Sequence, residues 1–141
     1  MKLLIDTNII LDALMAREPW ANEAQKIILA IAEEEVEGFI TASSFTDIYY
    51  LLRKHLKDKE LTKQYLLNLL SLIKILDVNN TDCEKAFDLP MNDYEDALLA
   101  FCGKRHKMDL IITRNKKHFE KSPVKAVEPE DILLQISQKQ V

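Results

Sequence analysis

Leu3, Leu4 and Ile5 form a short unbroken apolar run that ends on a carboxylate, Asp6. A run without alternation predicts a parallel strand covered on both faces. Leu110 to Thr113 predicts a second buried strand of the same kind. Between them the period changes. Ala24, Ile27, Ile28 and Ile31 recur at helical spacing, with Pro19 in the first turn and Gly38 just past the end. Phe39, Ile40 and Thr41 predict another brief strand. Ser43 or Ser44 then caps a helix carrying Ile48, Leu51, Leu52 and Leu56, which puts Asp47 in its first turn. Leu61 to Leu72 predicts a leucine-rich helix. Ile73, Ile75, Leu76 and Val78 fit a third strand, although residues 72–76 also read as a helix end. Thr81 with Glu84 fits a capping box for a short helix that stops before Pro90, and Asn92 and Asp93 open the helix of Ala97, Leu98 and Phe101. A last strand near Val124 to Val127 leads through Pro129 into a terminal helix with Ile132, Leu133 and Ile136.

Strands alternating with helices predict a three-layer α/β/α sandwich around a mainly parallel sheet. Such sheets bind ligands at the C-terminal ends of their strands. Asp6, Asp47, Asp93, Asp96, Arg114 and Asn115 all fall near predicted strand ends or the helix starts that follow them. Each acid also has a purely structural reading. Asp6 or Asn8 can cap a helix beginning at Ile9, Ser44 with Asp47 fits a capping box, and Asp93, or Asn92 with Glu95, can cap the helix that follows. Several carboxylates meeting in one pocket would repel one another and raise their own pKa values unless a cation neutralised them. Carboxylate-rich sites suit Mg²⁺ or Mn²⁺.

Composition narrows the choices. The 141 residues carry a net charge of −4, with 48% hydrophobic and 30% charged positions, which predicts one globular domain over 1–141. Two glycines, Gly38 and Gly103, are too few for any Gly-rich phosphate loop, which argues against nucleotide cofactors. Cys83 and Cys102 have no CxxC spacing and no Cys or His companions, so neither zinc nor a disulfide framework is indicated. The longest apolar runs, Ile27 to Ala32 and Ala97 to Cys102, span six residues. The expectation is therefore a cytoplasmic protein with no export signal and no membrane span.

Four ordered segments, MKLLIDTNIILDALMAREPW, TASSFTDIYYLLRK, NDYEDALLAFC and LIITRNKKHF, resemble the PIN-domain ribonucleases, specifically the toxin-type members similar to VapC. The resemblance implies an Mg²⁺- or Mn²⁺-dependent endoribonuclease, the toxin of a toxin–antitoxin pair, with RNA as substrate, a cognate antitoxin as partner and a homodimeric state. By it, Asp6 and Asp96 look like metal-site acids, Asp47 stands where many members carry Glu, Asp93 assists, and Asn115 matches the Asn often found after a Thr-Arg dipeptide. Asn115 or Thr113 would orient metal-bound water. His118 stands where relatives usually have Asp. The shorter Asp47, and the negative charge lost with His118, lead us to expect single-metal or Mn²⁺-biased activity.

Charge gives no global case for RNA binding, so a footprint must be local. Arg53 to Lys59 and Lys104 to Lys107 sit at predicted helix ends, where cations are favourable anyway. Arg114, Lys116 and Lys117 follow the strand that borders the acids, and are the candidates for phosphate contacts. His55 and His106 are read as solvent-facing or helix-terminal. Tyr49, Tyr50, Leu51 and Leu52 are read as core and interface rather than a base-stacking platform, and the Leu61 to Leu72 helix as part of a dimer surface. Two further function classes remain. An aspartate-nucleophile phosphatase or phosphotransferase also places Asp after its first strand, but Asn8 stands where a second acid is needed. The other is a catalytically degenerate domain kept as a binding module.

Overall fold

Helical connections join successive strands along the chain, and a computed structural model, which describes residues 1–139, shows why they converge on one sheet. Its five strands lie in the order β3-β2-β1-β4-β5, and every neighbouring pair is parallel. They are β1 (Lys2–Ile5), β2 (Glu37–Thr41), β3 (Lys74–Leu76), β4 (Leu110–Ile112) and β5 (Ala126–Val127). Helices α1 (Thr7–Leu14) and α2 (Ala21–Ala32) connect β1 to β2, and α3 (Ala42–Leu56) and α4 (Lys59–Leu72) connect β2 to β3. Helices α5 (Asn80–Ala86) and α6 (Tyr94–Arg105) lead to β4, a 3₁₀ turn (Lys116–Phe119) leads to β5, and α7 (Pro129–Lys139) follows. Gln140 and Val141, the last two positions of the expected 1–141 domain, lie outside the described residues.

The unbroken apolar strands are buried on both faces, as parallel strands must be. Leu3, Ile5, Ile40, Leu110 and Ile112 face one layer, packed with Ile9, Ile27, Ile48, Leu66 and Ile132 of α1, α2, α3, α4 and α7. Leu4, Phe39, Leu76 and Ile111 face the other, against Leu99, Ala100 and Cys102 of α6. Close approach of α6 to β1 depends on Gly103, because a Cβ there would lie 2.9 Å from Leu4 Cδ2. Among the described residues no helix is long and apolar enough to cross a membrane.

Local signals differ from the sequence expectations at several places. Gly38 does not end a helix; it lies within β2, where a Cβ would collide with Ile31 Cδ1. Pro19 precedes α2 rather than forming its first turn. Thr41, not Ser43 or Ser44, caps α3, accepting from the Ser44 amide at 3.2 Å. The box opening α5 is Asn79 with Asp82, not Thr81 with Glu84. Each side chain accepts from the other's backbone N–H, at 2.9 and 3.0 Å, which satisfies two donors that a helix start leaves unpaired.

Candidate active site

Asp6 follows directly on β1 and is both a cap and a site residue. Its Oδ1 accepts from the Thr7 amide at 2.8 Å, so α1 begins two residues earlier than the sequence suggested. Its Oδ2 accepts from the Thr113 hydroxyl at 2.9 Å, and that hydroxyl in turn accepts from the Asn115 amide at 3.1 Å. Thr113 follows β4, the neighbour of β1, so the adjacent strand fixes the carboxylate's orientation.

Asp47 is released from capping. Because Thr41 performs that task, α3 starts at Ala42 and Asp47 falls a turn further in than expected, exposed and facing the same cavity as Asp6. Asp93 caps α6, its Oδ1 accepting from the Asp96 amide at 2.9 Å, and Glu95 and Asp96 occupy the first turn. A cavity of about 530 Å³ at the C-terminal edge of the sheet is lined by Asp6, Asp47, Asp93, Glu95, Asp96 and Asn115. An adjoining one of about 320 Å³ shares Asp6, Asp47, Glu95 and Asp96 and extends towards Thr41, Ser43 and Tyr94. All four expected acids, with Asn115, thus line one cavity.

Sequence reasoning treated Glu95 only as a capping partner. The available signal was the density of acid at 93–96, which exceeds what one helix N-terminus requires.

Crowded acids disturb one another's titration. Burial, then repulsion from Asp93 and Asp6, pushes Asp96 up to about 6, while His118 opposes the shift. Glu95 is raised by burial and by Asp47, Asp93 and Asp6. Asp6 is raised chiefly by burial, against the hydrogen bonds from Thr113 and Thr7 and the charge of Arg114. Burial leads each of these shifts and repulsion between the acids adds to it; a cation in the cavity would oppose both. Among the described residues, no group of three or more His, Cys, Asp or Glu side chains is drawn together closely enough to hold a metal ion by itself. The donor set is all hard oxygen and spread around an open cavity. It fits an ion that keeps several waters and takes only one or two carboxylates directly, the habit of Mg²⁺.

The basic residues divide. Arg114 turns its guanidinium onto Asp12, which is fully buried in α1: Nε lies 2.8 Å from Oδ2 and one Nη 3.2 Å from Oδ1. It also stacks on Trp20, 3.8 Å from the ring centroid. Arg17 reaches the same carboxylate at 2.9 Å and hydrogen-bonds Asn8 at 3.2 Å. Arg114's charge is therefore engaged in a structural ion pair that the sequence did not reveal. Lys116 lies 4.0 Å from Asp131, whereas Lys117 lines a pocket of about 410 Å³ with Asp93, His118 and Lys121. His118 Nδ1 is 3.5 Å from Asp96 Oδ2. His106 is helix-terminal and bound to Asp77, and His55 is exposed near the end of α3, as expected.

Residues 2–117 match the family model described as PIN domain. By sequence, no curated protein matches the chain significantly. Solved structures of similar fold include VapBC2 from Rickettsia felis bound to a DNA fragment from their promoter, at 20% identity over 91% of this chain and 98% of that one, TM-score 0.68. A toxin–antitoxin complex from Klebsiella pneumoniae is similar at 22% identity over 90% and 97%, TM-score 0.66. VapC20 of Mycobacterium tuberculosis, described as a sarcin–ricin loop cleaving toxin, is similar at 11% identity over 77% and 86%, TM-score 0.61. With the family match running from β1 to the turn beyond Asn115, through every acid of the cavity, the chain belongs to the PIN domain family.

Proposed function

We propose that the chain is an endoribonuclease that hydrolyses RNA phosphodiester bonds at the acidic cavity with Mg²⁺ or Mn²⁺, and that it is the toxin of a toxin–antitoxin pair. The observation that carries this reading is the meeting of Asp6, Asp47, Asp93 and Asp96, drawn from three separate stretches of chain, in one cavity where burial and mutual repulsion raise Asp6 and Asp96. Membership of the PIN domain family supports the nuclease chemistry. The toxin–antitoxin complexes among similar folds support an antitoxin partner.

In this reading Asp6 and Asp96 would hold the ion, with Asp47, a methylene shorter than Glu, and Asp93 in support. When bound, a hard divalent ion would supply polarisation of the phosphate and a water of lowered pKa as nucleophile. Thr113 keeps Asp6 aimed into the cavity, and Asn115, on the same turn, orients the attacking water. Lys117, with Lys116 and the uncommitted part of Arg114, engages flanking phosphates. The exposed Leu67 and Leu70 of α4 supply apolar surface for a second copy of the chain.

The test is cleavage of a broad RNA panel by the purified chain in Mg²⁺, in Mn²⁺ and in chelator. Cleavage is expected only with an ion, and Asp6→Asn is expected to abolish it while retaining its circular dichroism spectrum. Ion-independent cleavage, or full activity in Asp6→Asn, would reject the mechanism.

A further inference from the structure

Resting on the RNA-hydrolysis reading, we propose that Tyr50 stacks against a nucleobase adjoining the phosphate held at Asp6, Asp47 and Asp96. Tyr50 lies three residues after Asp47 on α3, so the two side chains share one helix face. Both line the 530 Å³ cavity with Asp6, Asp96, Asn115 and His118. The neighbouring residues show that the core does not use this ring. Ile48 and Leu52 are fully buried and Tyr49 packs on the core, as the sequence suggested, whereas Tyr50 is 66% exposed and Leu51 beside it 48%. Of the four residues expected as core and interface, Tyr49 and Leu52 are thus core, whereas Tyr50 and Leu51 are left exposed beside the acids.

Tyr50 is oriented without being covered. Its contact with Tyr49 is a single edge-to-face one, centroids 5.1 Å apart at 87°, which leaves at least one face of its ring free of Tyr49. Its hydroxyl has no hydrogen-bond partner among the described residues. Tyr94, the aromatic on the adjoining cavity, is different: its hydroxyl donates to the Cys83 carbonyl at 2.7 Å and its ring lies 4.4 Å from that of Phe87. Tyr94 is a fixed wall, and Tyr50 is the ring with room for a partner.

Electrostatics gives such a contact a purpose. Five carboxylates repel a polyanion, and nearby cations are partly spent, Arg114 on Asp12 and Lys116 near Asp131. Base stacking is indifferent to that field. It grips the uncharged part of the substrate and leaves the phosphate to the ion.

Steady-state cleavage kinetics of the full chain, Tyr50→Ala and Tyr50→Phe test this. A contact made equally in ground and transition states acts on KM. Tyr50→Ala is expected to raise KM about tenfold with kcat and the salt dependence of KM retained, and Tyr50→Phe to restore it. A parallel readout does not depend on turnover: in the Asp6→Asn background with Mg²⁺, single-stranded RNA containing 2-aminopurine is expected to be quenched when Tyr50 is present and not when it is Ala. An unchanged KM in a folded Tyr50→Ala, or a loss that Phe does not rescue, overturns the proposal while RNA hydrolysis stands. If the same variant instead alters sedimentation, the ring is a protein contact and the proposal falls. Quenching that depends on Tyr50 without cleavage by the parent chain sustains the proposal and sinks the hydrolytic reading. Absence of both cleavage and quenching rejects the two together.

Discussion

Asp96 carries the clearest conflict between folding and function at the level of single residues. Its carboxyl, pushed up to about 6 by burial and by its acidic neighbours, holds a proton more tightly in the native state than in the unfolded chain. A raised carboxyl stabilises the fold at low pH and loses that contribution as pH rises through its native value. Metal-free protein is therefore expected to lose stability between about pH 4 and pH 7. Asp96→Asn should remove part of that drop, the remainder belonging to Asp6 and Glu95, whose carboxyls are raised too, and should be more stable than the parent at pH 7.5 by about 1–2 kcal/mol, less than the full shift implies because the side chain is 19% exposed. Urea unfolding at several pH values in chelator measures it, and identical pH profiles for the two proteins would contradict it. Asp82 does not confuse the result. Burial pushes it up, but the Arg105 bonds at 2.6 and 2.8 Å and the Asn79 amide outweigh that and hold it below the usual carboxylate range. Its contribution is lost only as pH falls below about 4. Asp12 marks the limit of residue-level reading. Nothing in its neighbourhood in sequence foretells that this acid is buried against Arg114, which is 102 positions away.

At the scale of elements, apolar pattern located most strands and helices, while Gly38 and the caps of α3 and α5 were misassigned. Gly38 reads as a helix terminator because glycine commonly ends helices, yet α2 stops at Ala32 without one. Its place in β2 answers to a packing demand from Ile31, a residue of the preceding helix. Gly38→Ala is expected to cost about 1–3 kcal/mol through overpacking. Because the clash is with Ile31 Cδ1, Ile31→Val in the same chain should recover part of the loss. Thermal unfolding of the two single variants and the double variant checks this, and a strictly additive outcome would show that the contact is not the cause. Among Thr41, Ser43 and Ser44, each able to cap α3, the pairing of β2 decides. Thr41 is the last strand residue, its backbone still extended, so its hydroxyl is the one that reaches the open end of the helix.

For the whole molecule, the sheet order determines the site. β1 lies between β2 and β4, so Asp6 at its end meets the turn after β4 on one side and the start of α3 on the other. Gly103 lets α6 pack down on β1, bringing the helix that carries Asp93, Glu95 and Asp96 to the same edge. The proposed reading then predicts that Mg²⁺ or Mn²⁺ stabilises the fold, by about 2.7 kcal/mol at one hundred times the dissociation constant. Calorimetry should show a higher unfolding temperature with the ion in the parent chain and little change in Asp96→Asn; an equal rise in both would place the ion elsewhere. The sequence by itself determined the alternation of strands and helices, the parallel sheet, and Asp6, Asp47, Asp93, Asp96 and Asn115 as residues near strand ends, because periodicity and strand termini are local properties of the chain. Only the tertiary structure decided that these groups share one cavity, that Glu95 joins them, that Arg114 is committed to Asp12 and that Tyr50 faces the acids. Those facts depend on which distant segments pack together, and on which side chain at each contact is left with room, and neither is encoded at short range.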